Sequence, residues 1–177
     1  MNNNLSKPTI LLHWLVGLSF LGALCVGLLL DLLPKGPDKM FLLGLHKSFG
    51  TMILLMAMLR LMWRLKEGHI SSLYTVSKFQ AMAVKFIQYF LLLVTITMPI
   101  SGIVMSIAGG HGLAVFGLEL VASGEKIEWL ASIAHDVHTI SVNFIIIALV
   151  LHIAGALKHH YIDKDGTLSR MLGNRHQ

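Results

Sequence analysis

The chain has 177 residues, of which 55% are hydrophobic and 13% charged, with a formal net charge of +5; its mean hydropathy is +0.72. A soluble domain carries about 25% charged residues, so the composition excludes one. The charges lie between long apolar blocks, and the chain reads as an integral membrane protein. The single cysteine, Cys25, excludes an internal disulfide, and the absence of CxxCH excludes haem attachment through that motif.

Taken in order, four segments reach the ~20 apolar residues that span a bilayer: about Ile10 to Leu30, Leu42 to Trp63, Val84 to Ala108 and Ile133 to Leu157. The first begins near the N-terminus, as a signal peptide would. It lacks a small-x-small cleavage site before Pro34 and exceeds a typical h-region, so a retained helix is expected. DLLPKGPDKM supplies a short Pro- and Gly-rich turn into the second span. The polar run from Arg64 to Lys85 has room for a short surface helix. Gly109 to Leu130 is a semi-polar loop whose Val115-Phe116 and Trp129-Leu130 pairs suit the bilayer surface or a cap on the bundle. No repeat, low-complexity tract or domain boundary interrupts residues 1–177. The expected fold class is all-α: one integral-membrane four-helix bundle.

Four spans put both termini on one side. That side carries Lys7, Arg60, Arg64, Lys66, Lys78, Lys85, Lys158, Lys164, Arg170 and Arg175; the other carries Lys35, Lys39, Lys47 and Lys126. By the positive-inside rule the termini are cytoplasmic. Anionic lipid head groups are a sufficient partner for this basic surface, and no nucleic-acid partner is needed. The outer side is not positive as a whole, because Asp31, Asp38, Glu119, Glu125, Glu128 and Asp136 outnumber its lysines. Lys47, with Lys35 and Lys39, could act on an anion there only locally.

Ionisable residues at membrane depth mark functional sites by default, and this chain places histidines there. His138 and His152 are fourteen residues apart on the last span, about 21 Å along one helix face with about 40° of drift. The alternating direction of the spans sets His13 at the cytoplasmic depth of His152, and His46 at the outer depth of His138. His135 competes with His138, but from His152 it drifts by about 100°. Two bis-histidine sites follow, one per leaflet. Zinc usually takes four protein ligands, and no carboxylate or second sulfur lies at either depth. A haem brings four equatorial nitrogens and needs only two axial ones. Small residues stand beside the histidines at helical spacing: Gly17 after His13, Gly50 after His46, Ser141 after His138 and Gly155 after His152. Arg60 and Arg64 are candidates for haem propionates, and His159 for a propionate or a quinone at the cytoplasmic surface. A lone intramembrane histidine is commonly a helix–helix hydrogen bond, but two depth-matched pairs are a stronger pattern. A histidine-relay transporter of protons or metal is the competing class, and it would hold no haem.

These residues resemble the bacterial cytochrome b561 proteins. The likeness covers most of the chain and rests on His13-Trp14, the LHKSFG run around His46, the His138 and His152 pair, VFGL at Val115 to Leu118, and LHIAGALKHHYIDKDGTLSRM at the end. The resemblance implies two non-covalent haem b groups on the four histidines and a ubiquinone partner in the bacterial inner membrane. It further implies electron transfer to the quinone pool, with superoxide oxidised to oxygen at the outer face in the enzyme members. Related members are non-enzymatic membrane-anchor subunits for a partner dehydrogenase or hydrogenase. A homodimer is compatible with either role.

Overall fold

The computed structural model describes residues 5–68 and 77–174. It contains helices α1 (Lys7–Leu32), α2 (Pro37–Glu67), α3 (Lys78–Ala108), α4 (Glu128–Lys158) and α5 (Thr167–Met171), with a hairpin of β1 (Leu113–Val115) and β2 (Leu118–Val121) between α3 and α4. The first four are long and apolar enough to cross a membrane. Together they form an all-α, multi-pass bundle. Most of its large apolar side chains face outward, among them Leu11, Phe41, Phe86 and Phe144. Such a surface is stable against lipid and aggregates in water.

The spans exceed the expected ones because the sequence caps them beyond the apolar runs. Ser6 accepts the Thr9 amide at the start of α1, and Ser77 and Gln80 close a capping box on α3. Gly68, at φ +75°, ends α2. A helix of 31 residues is about 46 Å long, so its ends pass through the head-group layer. The ends of the run with room for a surface helix extend α2 and α3, and its middle, residues 69–76, lies outside the described residues. The outer loop, expected only as a surface segment or cap, is a hairpin. Phe116 and Gly117 both take positive φ, the geometry of a two-residue turn that matches strand twist. It is pinned to the bundle where the Phe116 amide donates to Ser48 Oγ at 2.9 Å and Phe49 meets Phe116 edge-on.

α3 packs on α4, α1 on α2, and α2 on α3. α4 approaches α1 and α2 far less closely. Phe20, Ile53, Val94, Met98 and Ile145 form the mid-bundle core, with every spanning helix contributing.

Candidate functional site

The separated helix pairs, α1/α4 and α2/α4, are the pairs that carry facing histidines. His13 and His152 have ring centres 6.2 Å apart. His46 and His138 have ring centres 6.3 Å apart. An imidazole nitrogen binds a metal at about 2 Å with its ring centre about 1 Å further back, so an imidazole–metal–imidazole unit spans about 6 Å. Both pairs have that span. His135 is exposed and does not face His46.

The Nδ1 atoms of His13, His46 and His138 point towards groups on neighbouring helices, which leaves Nε2 as the ligand-side nitrogen of these three. At the outer level, His138 Nδ1–H is shared between Ser101 Oγ at 2.9 Å and the Met98 carbonyl at 3.1 Å. The Ser101 hydroxyl itself donates to that carbonyl, so its oxygen is the acceptor for His138. His46 Nδ1 faces the Ala23 carbonyl of α1 without a well-formed hydrogen bond. At the inner level, Arg60 Nη2 lies 3.2 Å from His13 Nδ1. Trp14 packs edge-on to His13 and donates its Nε1–H to the Met171 carbonyl at 2.9 Å, tying α5 to the inner end.

Three helices share one register. α1 carries His13, Phe20 and Gly27; α2 carries His46, Ile53 and Arg60; α4 carries His138, Ile145 and His152. Seven residues are about 10 Å and nearly two full turns, so each set lines one face. The inner layer is His13, Arg60 and His152. The middle is the dry plug of Phe20, Ile53 and Ile145. The outer layer is Gly27, His46 and His138.

Two glycines absent from the sequence-derived set are required across helix interfaces. A Cβ on Gly27 would stand 3.3 Å from His46 Cε1, and one on Gly102 would stand 3.2 Å from His138 Cε1. The fourteen-residue spacing from His13 identifies Gly27. Gly102 and Ser101 follow Pro99 in α3, and only the fold reveals their neighbour. Gly17, Gly50 and Gly155 have open space where a side chain would begin. That space fits a flat macrocycle beside each pair, and the donor set of two neutral imidazoles suits haem axial ligation.

The remaining candidates sit elsewhere. Arg64 donates to the Gly68 carbonyl and caps its own helix. A π-helical turn, His159–Asp163, follows α4. There His159 Nδ1 lies 2.6 Å from Asp165 and 3.1 Å from Asp163, while Lys158 pairs with Asp163. His69 and His176 lie outside the described residues, and His111 is exposed.

A membrane bundle with paired histidines at two depths defines a class, the four-helix membrane cytochromes. Residues 4–174 match the family described as prokaryotic cytochrome b561, and the chain belongs to that family. It is a family of membrane electron-transfer proteins that bind haem b. The chain is 31% identical over 169 residues to cytochrome b561 homolog 2 of Escherichia coli K12, covering 91% of this chain and 87% of the relative. It is 24% identical to cytochrome b561 homolog 1 of the same organism, covering 98% and 99%. It is 27% identical to a protein named probable superoxide oxidase CybB from Yersinia pestis, covering 97% of each chain.

Proposed function

We propose that the protein holds two haem b groups, the inner on His13 and His152 and the outer on His46 and His138, and carries electrons across the bacterial inner membrane to ubiquinone. The observation that carries this reading is the pair of imidazole gaps, 6.2 and 6.3 Å between ring centres, stacked at two depths. Each bound haem supplies a one-electron couple. His13 with His152, and His46 with His138, would hold it, and such a bis-histidine donor set favours electron transfer over oxygen binding. The Phe20, Ile53 and Ile145 plug keeps water out between the layers. Arg60 is placed to neutralise a propionate of the inner group. Both termini lie on the cytoplasmic side in this reading.

At the outer face the donor is superoxide. Two superoxide ions lose one electron each to become oxygen, and one ubiquinone takes up those two electrons with two protons. The likeness to the Yersinia pestis protein supports this donor. The alternative is an anchor cytochrome that accepts electrons from a docked dehydrogenase or hydrogenase. The deciding experiment uses the purified full chain. A reduced-minus-oxidised spectrum with a haem count is expected to give two b haems per chain, and none would overturn the reading. Superoxide-dependent ubiquinone reduction by the isolated protein separates the enzyme from the anchor.

A further inference from the structure

The two layers differ in what stands behind the histidines. On α2, the position fourteen residues from His46 is Arg60, so the third place in the inner layer is a guanidinium. On α1, the position fourteen residues from His13 is Gly27, so the third place in the outer layer is empty of side chain. Arg60 Nη2 lies 3.2 Å from His13 Nδ1, in the layer that His13 shares with His152. Among the described residues, the groups found against His46 and His138 carry no Lys or Arg charge: the two rings face each other, Ser101 and the Met98 carbonyl stand at His138 Nδ1, and the Ala23 carbonyl stands towards His46. Lys47 is adjacent to His46 in the chain but points about 100° away around α2.

We propose that Arg60 sets the inner site at a higher reduction potential than the outer site, so that electrons run inward, from the outer face towards the cytoplasmic one. This rests on the di-haem reading above. Gaining an electron lowers the positive charge on an iron–porphyrin centre. A fixed cation within the low-dielectric bundle therefore stabilises the reduced form. His13 cannot satisfy that cation once its Nε2 ligates iron, because Nδ1 then carries the proton and offers no lone pair. The guanidinium remains available to a propionate, whose negative charge would otherwise favour the oxidised form. The outer site has the opposite bias. The Met98 carbonyl and Ser101 accept the His138 Nδ1–H, which makes that imidazole a more basic ligand and favours the oxidised metal. In the transfer step one electron leaves the outer site, which is oxidised, and reaches the inner site, which is reduced. No bond or proton moves.

The test is a spectroscopic redox titration of the purified full chain. Two separate midpoints are expected. His138→Ala protein, which keeps the inner haem alone, should titrate near the higher one, and His152→Ala protein near the lower. Arg60→Gln should lower the inner midpoint enough to change the inner-to-outer electron ratio about tenfold, which is 59 mV for one electron, with the outer midpoint steady. Arg60→Lys should restore most of the difference. Lys47→Gln should move the outer midpoint by less than Arg60→Gln moves the inner one. The proposal is overturned by a shared midpoint, by the higher value residing in His152→Ala protein, or by an unmoved inner midpoint in Arg60→Gln. Absence of haem would instead sink the di-haem reading, so the two failures are distinguishable.

Discussion

The outer and inner ends of the bundle solve the same packing problem with different chemistry. The outer layer is tight and neutral: two glycines admit the imidazoles, a backbone carbonyl and a hydroxyl hold His138, and a hairpin pinned by Ser48 closes the end. The inner layer is held by charge and by the chain's own tail. Arg60 stands against His13, Thr9 hydrogen-bonds to Glu67, Trp63 donates to Ser6 and Thr9, and α5 is fastened to Trp14. In the di-haem reading, a haem at the neutral site would keep little affinity for the electron, whereas one beside the cation would retain it. In that reading one helix, α4, would serve two differently tuned sites with the same ligand type.

The largest effects should come from the ligands themselves. His138→Ala is expected to remove the outer haem and His152→Ala the inner one, each leaving about half the reduced-minus-oxidised absorbance, because one axial bond cannot hold a six-coordinate haem in place. His135→Ala should leave both. Loss of the outer haem from His135→Ala, with His138→Ala harmless, would show that the outer layer is built on the wrong residue.

Next come the glycines, which separate the layers. Gly102→Leu and Gly27→Val press on His138 and His46 in a space with no slack, and overpacking of that kind costs roughly 1–3 kcal/mol. The outer haem should be depleted while the inner haem count stays at one. Equal loss of both haems would mean that the layers fold as one unit. A smaller change is expected from Ser101→Ala, which leaves Met98 as the only acceptor for His138. Partners behind a metal-ligating histidine are worth about 10-fold in affinity or more, measurable as faster haem loss to apomyoglobin from the outer site alone.

Ser48→Ala tests the hairpin without touching a ligand. Losing the hydroxyl that accepts the Phe116 amide should cost about 1 kcal/mol. It should be read as faster hydrogen exchange at Phe116, with the inner end unchanged. The smallest effect is the pH response of the tail. Burial pushes the Asp165 carboxyl up, but hydrogen bonds from Thr167 and the neighbouring His159 outweigh it and hold it below the ordinary carboxylate range. A depressed carboxylate adds stability above its unfolded pKa and loses it as pH falls through the folded value. The contribution of Asp165 to the clamp on α5 should therefore be lost only in acid, as pH falls through a pKa below the ordinary carboxylate range. The tryptophan fluorescence that Trp14→Phe removes should report it. Loosening in acid that Asp165→Asn leaves unchanged would contradict this assignment.

Much of this was legible along the chain. The four spans were legible because a bilayer demands ~20 consecutive apolar residues and leaves little else that fits. The pairing of His13 with His152 and of His46 with His138 was legible because alternating crossings fix depth. The choice of His138 over His135 follows from helical phase, and the structure places His138, not His135, opposite His46. Arg60 and Arg64 were equal candidates along the chain; the structure sets Arg60 against His13 and turns Arg64 to its own helix end. Gly17, Gly50 and Gly155 were found by spacing along their own helices. Gly27 carries a comparable signal, fourteen residues from His13 on its own helix, but Gly102 and Ser101 carry none, because their importance comes from a histidine on another helix. The hairpin was hidden because its strands are three and four residues long, too short for a period to declare itself, and its turn uses Phe-Gly in place of a stronger turn pair.

By itself, the sequence determined what each helix carries and at what depth, because hydropathy and a 1.5 Å rise act locally and need no partner. Only the tertiary structure decided which helices pack closely and which stand apart. That separation opens the α1/α4 and α2/α4 gaps, puts a guanidinium behind one pair of imidazoles and a carbonyl behind the other, and turns the exposed tail into a clamp. Those outcomes depend on contacts between side chains distant in the chain, and no one-dimensional pattern encodes such contacts directly.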